Sequence, residues 1–117
     1  MIWTLTQIGL GGALGTVLRY LLVSAVAAPA GTLVVNIAGS LVMGLLFAGL
    51  VGRMQFAPVL MTGVLGGFTT FSAFSLDALK LYEGGQVVQA LVYIAASVLL
   101  SLLAVALGAA LARGIMA

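Results

Sequence analysis

The chain has 117 residues, of which 64% are hydrophobic and 5% are charged, and its formal net charge is +2. With a mean hydropathy of +1.37, this composition lies far outside that of soluble domains and predicts an all-α membrane protein. The absence of cysteine and histidine excludes disulfides, thiol nucleophiles and imidazole bases, and the small, dispersed charge argues against nucleic-acid binding.

Four membrane-spanning helices are predicted from the spacing of the charged residues. Uncharged runs occupy residues 20–52, 54–76 and 84–112, and each reaches the ~20 residues that a spanning helix needs. The first run is too long for one crossing and is divided by the segment AAPAGT, residues 27–32, where proline and glycine mark a turn. The predicted spans, which form one domain of residues 1–117, are 3–27, 32–52, 56–82 and 87–112.

The third span contains a segment that predicts a break near its centre. Gly66 and Gly67 are followed by the β-branched pair Thr69 and Thr70, and glycine costs ~1 kcal/mol relative to alanine in a helix. Unwound backbone at membrane depth is tolerated where it lines a polar cavity, and transporters use such breaks to coordinate ions. The functional interpretation is an ion site near the bilayer centre. The structural alternative is a close helix crossing with threonine hydroxyls bonded back to carbonyls four residues earlier.

Aromatic and polar side chains surround the predicted break. Phe71 and Phe74 stand three residues apart, as do Ser72 and Ser75, so on a helix the two pairs form neighbouring stripes. Positive ring edges beside hydroxyl donors would make a surface for a small anion without fixed charge; the alternative is ordinary aromatic packing. In the second span, Asn36 is either an inter-helix hydrogen-bonding residue or an NH₂ donor on the same surface.

The positive charges are balanced across the predicted membrane. Arg53 and Arg113 fall on one side, and Arg19 and Lys80 fall on the other. Because the positive-inside rule needs an asymmetry, the sequence predicts insertion in both orientations and antiparallel pairing of two copies; the alternative is one orientation set by another determinant. The 16 glycines include several at helix-packing spacing, which favours close-packed helices and oligomerisation.

Two motifs together resemble those of a known family. The chain carries GTLVVN at residues 31–36 and GGFTTFSAFS at residues 66–75, and in a four-span chain of this length the pair resembles the Fluc/CrcB fluoride channels, also called fluoride exporters. The resemblance covers essentially the whole chain. It implies a fluoride-selective passive channel that lowers cytoplasmic fluoride in a prokaryotic plasma membrane. It also implies an antiparallel dual-topology homodimer with two ion pathways and a central structural sodium ion that is not transported.

The resemblance also implies roles for individual residues. The sodium ion would be held by main-chain carbonyls of Gly66 and Thr69 from both subunits, and Arg19 would lie near the vestibule. Ala73 stands where family members commonly have threonine, and Val105 where a threonine can occur, so the rate and route of conduction do not follow from the motif. The implied fluoride-pathway residues are Asn36, Thr70, Phe71, Ser72, Phe74, Ser75 and Ser101.

Two other classes of protein were considered. A small multidrug-resistance-type transporter is similar in length, span number and dual topology, but that family relies on a glutamate within its first helix, and the first span here contains no acid. A structural membrane subunit without ion flux is the second alternative. For Asp77 the sequence allows two positions, in a vestibule or paired with Lys80. An enzyme is disfavoured, because no residue pattern resembles a nucleophile with its base.

Overall fold

Four long helices make up the structure, a computed structural model that describes residues 1–116. All four are long and apolar enough to cross a membrane, because each contains an 18-residue stretch of high hydropathy with at most two charged residues. This confirms the prediction of an all-helical protein with four spanning helices. The last residue of the predicted domain, 117, lies outside the described residues. The helices are α1 (Ile2–Val26), α2 (Ala30–Gly49), α3 (Met54–Glu83) and α4 (Val87–Met116).

Helix α3 is interrupted, as predicted, near its centre. Thr69 (φ −89°, ψ 155°) and Thr70 (φ −152°, ψ 117°) are both extended and separate a first half, residues 58–68, from a second half, Phe71–Glu83. The first half is not a regular α-helix, since Pro58–Leu65 is π-helical. Helix α3 therefore consists of two separate helical segments, and the bend between them lies at Thr69 and Thr70.

The glycines before the break have a different role from the predicted one. Gly66 keeps an ordinary helical conformation (φ −61°, ψ −37°), so the unwinding does not use glycine's conformational freedom. A Cβ atom at Gly67 would meet the carbonyl oxygen of Gly12 and, at 2.9 Å, the hydroxyl of Thr16. The missing side chain lets α1 approach the first half of α3 closely.

Helices α2 and α4 pack backbone against backbone. A Cβ atom at Gly44 would meet the carbonyl oxygen of Val105, and one at Gly108 would meet the carbonyl oxygen of Leu41. At these two glycines the backbones of α2 and α4 are in direct van der Waals contact, without large side chains between them. Such contacts are typical of membrane helices. It fixes the position of α4 beside the break in α3.

Substitution of Gly44 tests this contact. We expect Gly44→Ala to lower the free energy of unfolding by about 1–3 kcal/mol, the usual cost of overpacking, although alanine favours the helix intrinsically. The measurement is reversible unfolding in mixed micelles. The control is Gly49→Ala on the same helix, where a Cβ atom has nothing within 4 Å and should be neutral or slightly stabilising. Equal effects of the two substitutions would contradict the close α2–α4 contact.

Candidate functional site

The break in α3 is held by one side-chain amide of α2. Asn36 Nδ2 donates to the carbonyl oxygen of Thr70 at 2.9 Å, and Asn36 Oδ1 accepts from the amide N–H of Thr70 at 2.7 Å. The side chain thus satisfies both main-chain groups of an extended residue at membrane depth, where each unsatisfied group would cost several kcal/mol. Asn36 therefore makes inter-helix hydrogen bonds, which is one of the two roles predicted from the sequence. Its Nδ2 atom has a second N–H that these hydrogen bonds do not use.

The second half of α3 begins with a side-chain cap. Thr70 Oγ1 accepts from the amide N–H of Ala73 at 3.1 Å and lies 3.2 Å from the hydroxyl of Ser72. Thr69 behaves differently, since its hydroxyl donates back to the carbonyl of Leu65 at 2.9 Å. The back-bonding alternative therefore holds for one threonine of the pair, whereas the other is the N-cap of a new helix.

Two carbonyls lose their helical donors at the break. In a continuous helix Gly66 would accept from the N–H of Thr70, and Thr69 would accept from that of Ala73. Those two N–H groups are bonded instead to Asn36 Oδ1 and Thr70 Oγ1. The carbonyl oxygens of Gly66 and Thr69 are thereby left without the donors that a helix would supply.

A cavity of about 400 Å³ lies between α2, the break and α4, and we call it the central cavity. Of the predicted pathway residues it brings together Asn36, Thr70, Phe71, Phe74 and Ser101. In the described part of the chain its wall contains hydroxyl and amide groups but no charged side chain. The remaining lining residues are Gly39, Ser40, Met43, Thr69, Ser97, Val98, Leu102 and Val105.

Both phenylalanines line the central cavity and contact each other. Phe71 and Phe74 form an edge-to-face pair with ring centroids 5.3 Å apart and an interplanar angle of 62°. Phe74 is buried at 7% exposure, whereas Phe71 is 77% exposed. The predicted stripe is therefore split, with one ring in the interior of this chain and the other directed away from it.

Ser97 is a cavity residue that sequence reasoning missed. It is 6% exposed; its hydroxyl makes no hydrogen bond of good geometry among the described residues, although it lies close to the hydroxyl of Tyr93. A buried hydroxyl without a partner usually marks a ligand, water or ion site. The available signal was the run Tyr93, Ser97 and Ser101, whose spacing of four places all three on one helix face.

Asp77 is also tied to that face of α4. Tyr93 Oη donates to Asp77 Oδ2 at 3.1 Å, and both residues are buried. Tyr93 in turn packs on Phe74 with centroids 5.3 Å apart. The carboxylate is thus bonded across to α4, while Lys80 is exposed on its own helix. The buried acid lies one contact from the cavity wall and helps to fix the orientation of Phe74.

Other predicted site residues lie outside the cavity wall. Ser72 and Ser75 are exposed; the first contacts Thr70, and the second donates back to the carbonyl of Phe71 at 2.9 Å. Arg19 is half-buried on α1, and neither it nor Gly66 lines the central cavity. In a single copy of the chain, these residues do not share one space with Asn36 and Phe74.

The fold and the site together define a class of protein: four helices able to span a membrane, with the third broken beside an uncharged cavity that contains hydroxyl and amide groups. Residues 6–109 match the family described as CrcB-like protein, Camphor Resistance (CrcB). The match spans the break in α3 and also the Asn36 clamp, by which we mean the two hydrogen bonds from the Asn36 side chain to Thr70. The chain therefore belongs to the CrcB-like family.

Relatives of known name agree with that assignment. The chain is 51% identical to the fluoride-specific ion channel FluC of Cereibacter sphaeroides, with 100% of both chains covered. It is 51% identical to the protein of that name from Paracoccus denitrificans, covering 97% of this chain and 98% of the relative. The Rhizobium meliloti protein of that name is 52% identical over 91% of this chain and 93% of its own. This similarity decides against the multidrug-type alternative.

Proposed function

We propose that the chain is a fluoride-selective passive ion channel that lowers cytoplasmic fluoride. The observation that carries the proposal is its full-length similarity to proteins named fluoride-specific ion channel, supported by an uncharged cavity with hydrogen-bond donors at the helix break. Its place would be the plasma membrane of a prokaryote, which is the inner membrane in a Gram-negative cell.

The central cavity suits a small, strongly hydrated anion. Such an ion enters a low-dielectric site only where donors replace part of its water shell. The unpartnered hydroxyl of Ser97 and the second N–H of Asn36 are such donors, and the edges of Phe71 and Phe74 add positive electrostatic potential. Because the described wall contains no fixed cation, binding would be weak enough for release, as conduction requires.

The channel would be an antiparallel homodimer of dual topology. Phe71 is 77% exposed and Gly66 is exposed, so one copy leaves polar main chain at the break on its outer surface. Polar backbone facing hydrocarbon is costly, and a second copy in the opposite orientation would cover it. The balanced arginine and lysine distribution permits both orientations. A two-fold axis in the membrane plane would then create two equivalent fluoride pathways.

A structural sodium ion fits the break. The carbonyl oxygens of Gly66 and Thr69 lack their helical donors, because Asn36 and Thr70 capture the relevant N–H groups. Unwound carbonyls at membrane depth are the ligands that membrane proteins offer to sodium. Four such oxygens, two from each copy, would hold the ion at the dimer axis and stabilise the pair.

Sodium replacement tests this part of the proposal. We expect dimeric protein in detergent to melt at a higher temperature in sodium than in N-methylglucamine at the same ionic strength. A sodium concentration of 100 times the dissociation constant would raise the free energy of unfolding by about 2.7 kcal/mol. The measurement is thermal unfolding together with the dimer fraction on a sizing column. Identical melting in the two cations would contradict a structural sodium ion.

The channel function is tested by ion efflux from liposomes. Purified protein in sodium-containing buffer is expected to release fluoride, followed with a fluoride electrode, and to retain chloride in parallel liposomes. Protein-free liposomes are the control for leakage. Absence of fluoride release from folded, dimeric protein would contradict the channel and favour a structural membrane subunit instead.

A further inference from the structure

A second cavity lies at the C-terminal ends of α2 and α4, beyond the central cavity. It has a volume of about 320 Å³ and is formed where α2 and α4 end and α3 begins. That size is within the range in which proteins hold small ligands. The side chains that matter are Phe47 from α2, Val51 from the turn after it, Met54 and Met61 from α3, and Arg113 from α4. We call it the Arg113 groove.

The groove lies at the depth of a membrane surface. Helix α2 has 20 residues, which at about 1.5 Å per residue spans about 30 Å, the thickness of a hydrocarbon core. Phe47 and Val51 are at its C-terminal end and are 59% and 70% exposed. The apolar part of the groove therefore faces the acyl chains, and its outer rim reaches the headgroup layer.

The rim of the groove is positively charged. Arg113 lies in the last turn of α4, and its guanidinium carbon is 5.8 Å from the centroid of the Phe47 ring. At this distance the cation is attracted to the ring face, and a guanidinium group has the planar set of N–H donors that binds a phosphate in bidentate fashion. Arg53 directly precedes α3 at the same surface, whereas Asp77 and Glu83 lie in the second half of α3, towards the other surface.

We propose that the Arg113 groove binds an anionic phospholipid, with the lipid phosphate on Arg113 and an acyl chain against Phe47, Met54 and Met61. An amphiphile matches both parts of the site, since a soluble anion has no apolar tail and a zwitterionic lipid carries a cation beside its phosphate. Methionines suit a flexible chain because they adapt to irregular shapes. The inference does not depend on fluoride conduction.

The test is lipid retention by the intact protein. Purified wild-type protein in micelles containing equal amounts of phosphatidylglycerol and phosphatidylcholine is examined by native mass spectrometry. We expect preferential retention of phosphatidylglycerol, and about fivefold weaker retention by Arg113→Gln, the usual contribution of one basic residue at an anionic membrane surface. The matched control, Lys80→Gln, removes one positive charge at the opposite surface and should retain the lipid as the wild type does.

Four results would overturn the proposal, and one further variant would support it. Equal retention of the two lipids by the wild type, or equal phosphatidylglycerol retention by Arg113→Gln and Lys80→Gln, would show that the groove has no anionic-lipid preference. Displacement of the lipid by millimolar inorganic phosphate would indicate a site for a free anion. Loss of dimer in Arg113→Gln alone would indicate that a second copy covers the groove. A second variant, Met61→Trp, fills the groove and should reduce retention while Arg113 is intact.

Discussion

Replacement of Asn36 by leucine is expected to disrupt both folding and conduction. The substitution leaves the N–H and the carbonyl of Thr70 without the partners that Asn36 supplies. Each orphaned buried group costs about 1–3 kcal/mol, so the free energy of unfolding should fall by roughly 2–6 kcal/mol. Fluoride efflux per folded dimer should fall at least about tenfold. Reversible unfolding in mixed micelles and the liposome assay measure the two effects.

The control for this prediction is Ser40→Ala, one turn further along α2 in the wall of the same cavity, for which we expect little loss of stability. Asn36→Asp is the informative intermediate, because its carboxyl group still accepts from the N–H of Thr70 and can donate to the carbonyl only when it is protonated. It should be less stable than the wild type and more stable than the leucine variant. Wild-type stability in Asn36→Leu would show that the clamp does not hold the break.

Ser97→Ala is expected to separate conduction from stability. The Ser97 hydroxyl has no partner among the described residues, so its removal should leave the free energy of unfolding unchanged or raise it slightly. If the hydroxyl donates to fluoride in transit, the loss of a hydrogen bond to a charged group is worth about 1.5–3 kcal/mol. Fluoride efflux should then fall roughly 10- to 150-fold, as measured by initial rates from liposomes.

The matched control for Ser97 is Ser24→Ala, an equal truncation at an exposed position on α1. It should conduct as the wild type does. A Ser97→Ala protein with undiminished fluoride efflux and reduced stability would show that the hydroxyl serves packing in this fold. The two results cannot be confused, because one readout is a rate per folded dimer and the other is an equilibrium.

Local sequence patterns predicted the number of helices and the break. The spans followed from where six charged residues occur, and the interruption followed from glycine and β-branched residues in one apolar run. The cause of the break was different from the predicted one. Gly67 serves the contact with α1, and Thr69 and Thr70 unwind because Asn36, 34 residues earlier, accepts and donates in place of the helix. No local pattern contains that pairing.

The residues that line the central cavity were harder to predict than the presence of a polar cavity at the break. Phe71 and Phe74 were placed on one stripe by their spacing, but only Phe74 is covered by Tyr93 of α4. Ser97 is a small residue in an aliphatic span, and its cavity role depends on how α4 packs on α2. The Asp77 contact with Tyr93 joins residues 16 apart on different helices. These are tertiary contacts, and helical periodicity specifies which face a residue occupies but not what lies opposite.

The Asn36 clamp has a consequence for biogenesis. A chain is synthesised from its N-terminus, so Asn36 leaves the ribosome 34 residues ahead of Thr70. The side-chain amide that bonds to Thr70 is therefore present before the threonine pair, and α3 can insert as two short helical segments with Asn36 available to bond the main chain between them. The earlier helix thus acts as a template for the later one. A stall of translation between the two helices would leave the amide of Asn36 without its partner in the lipid.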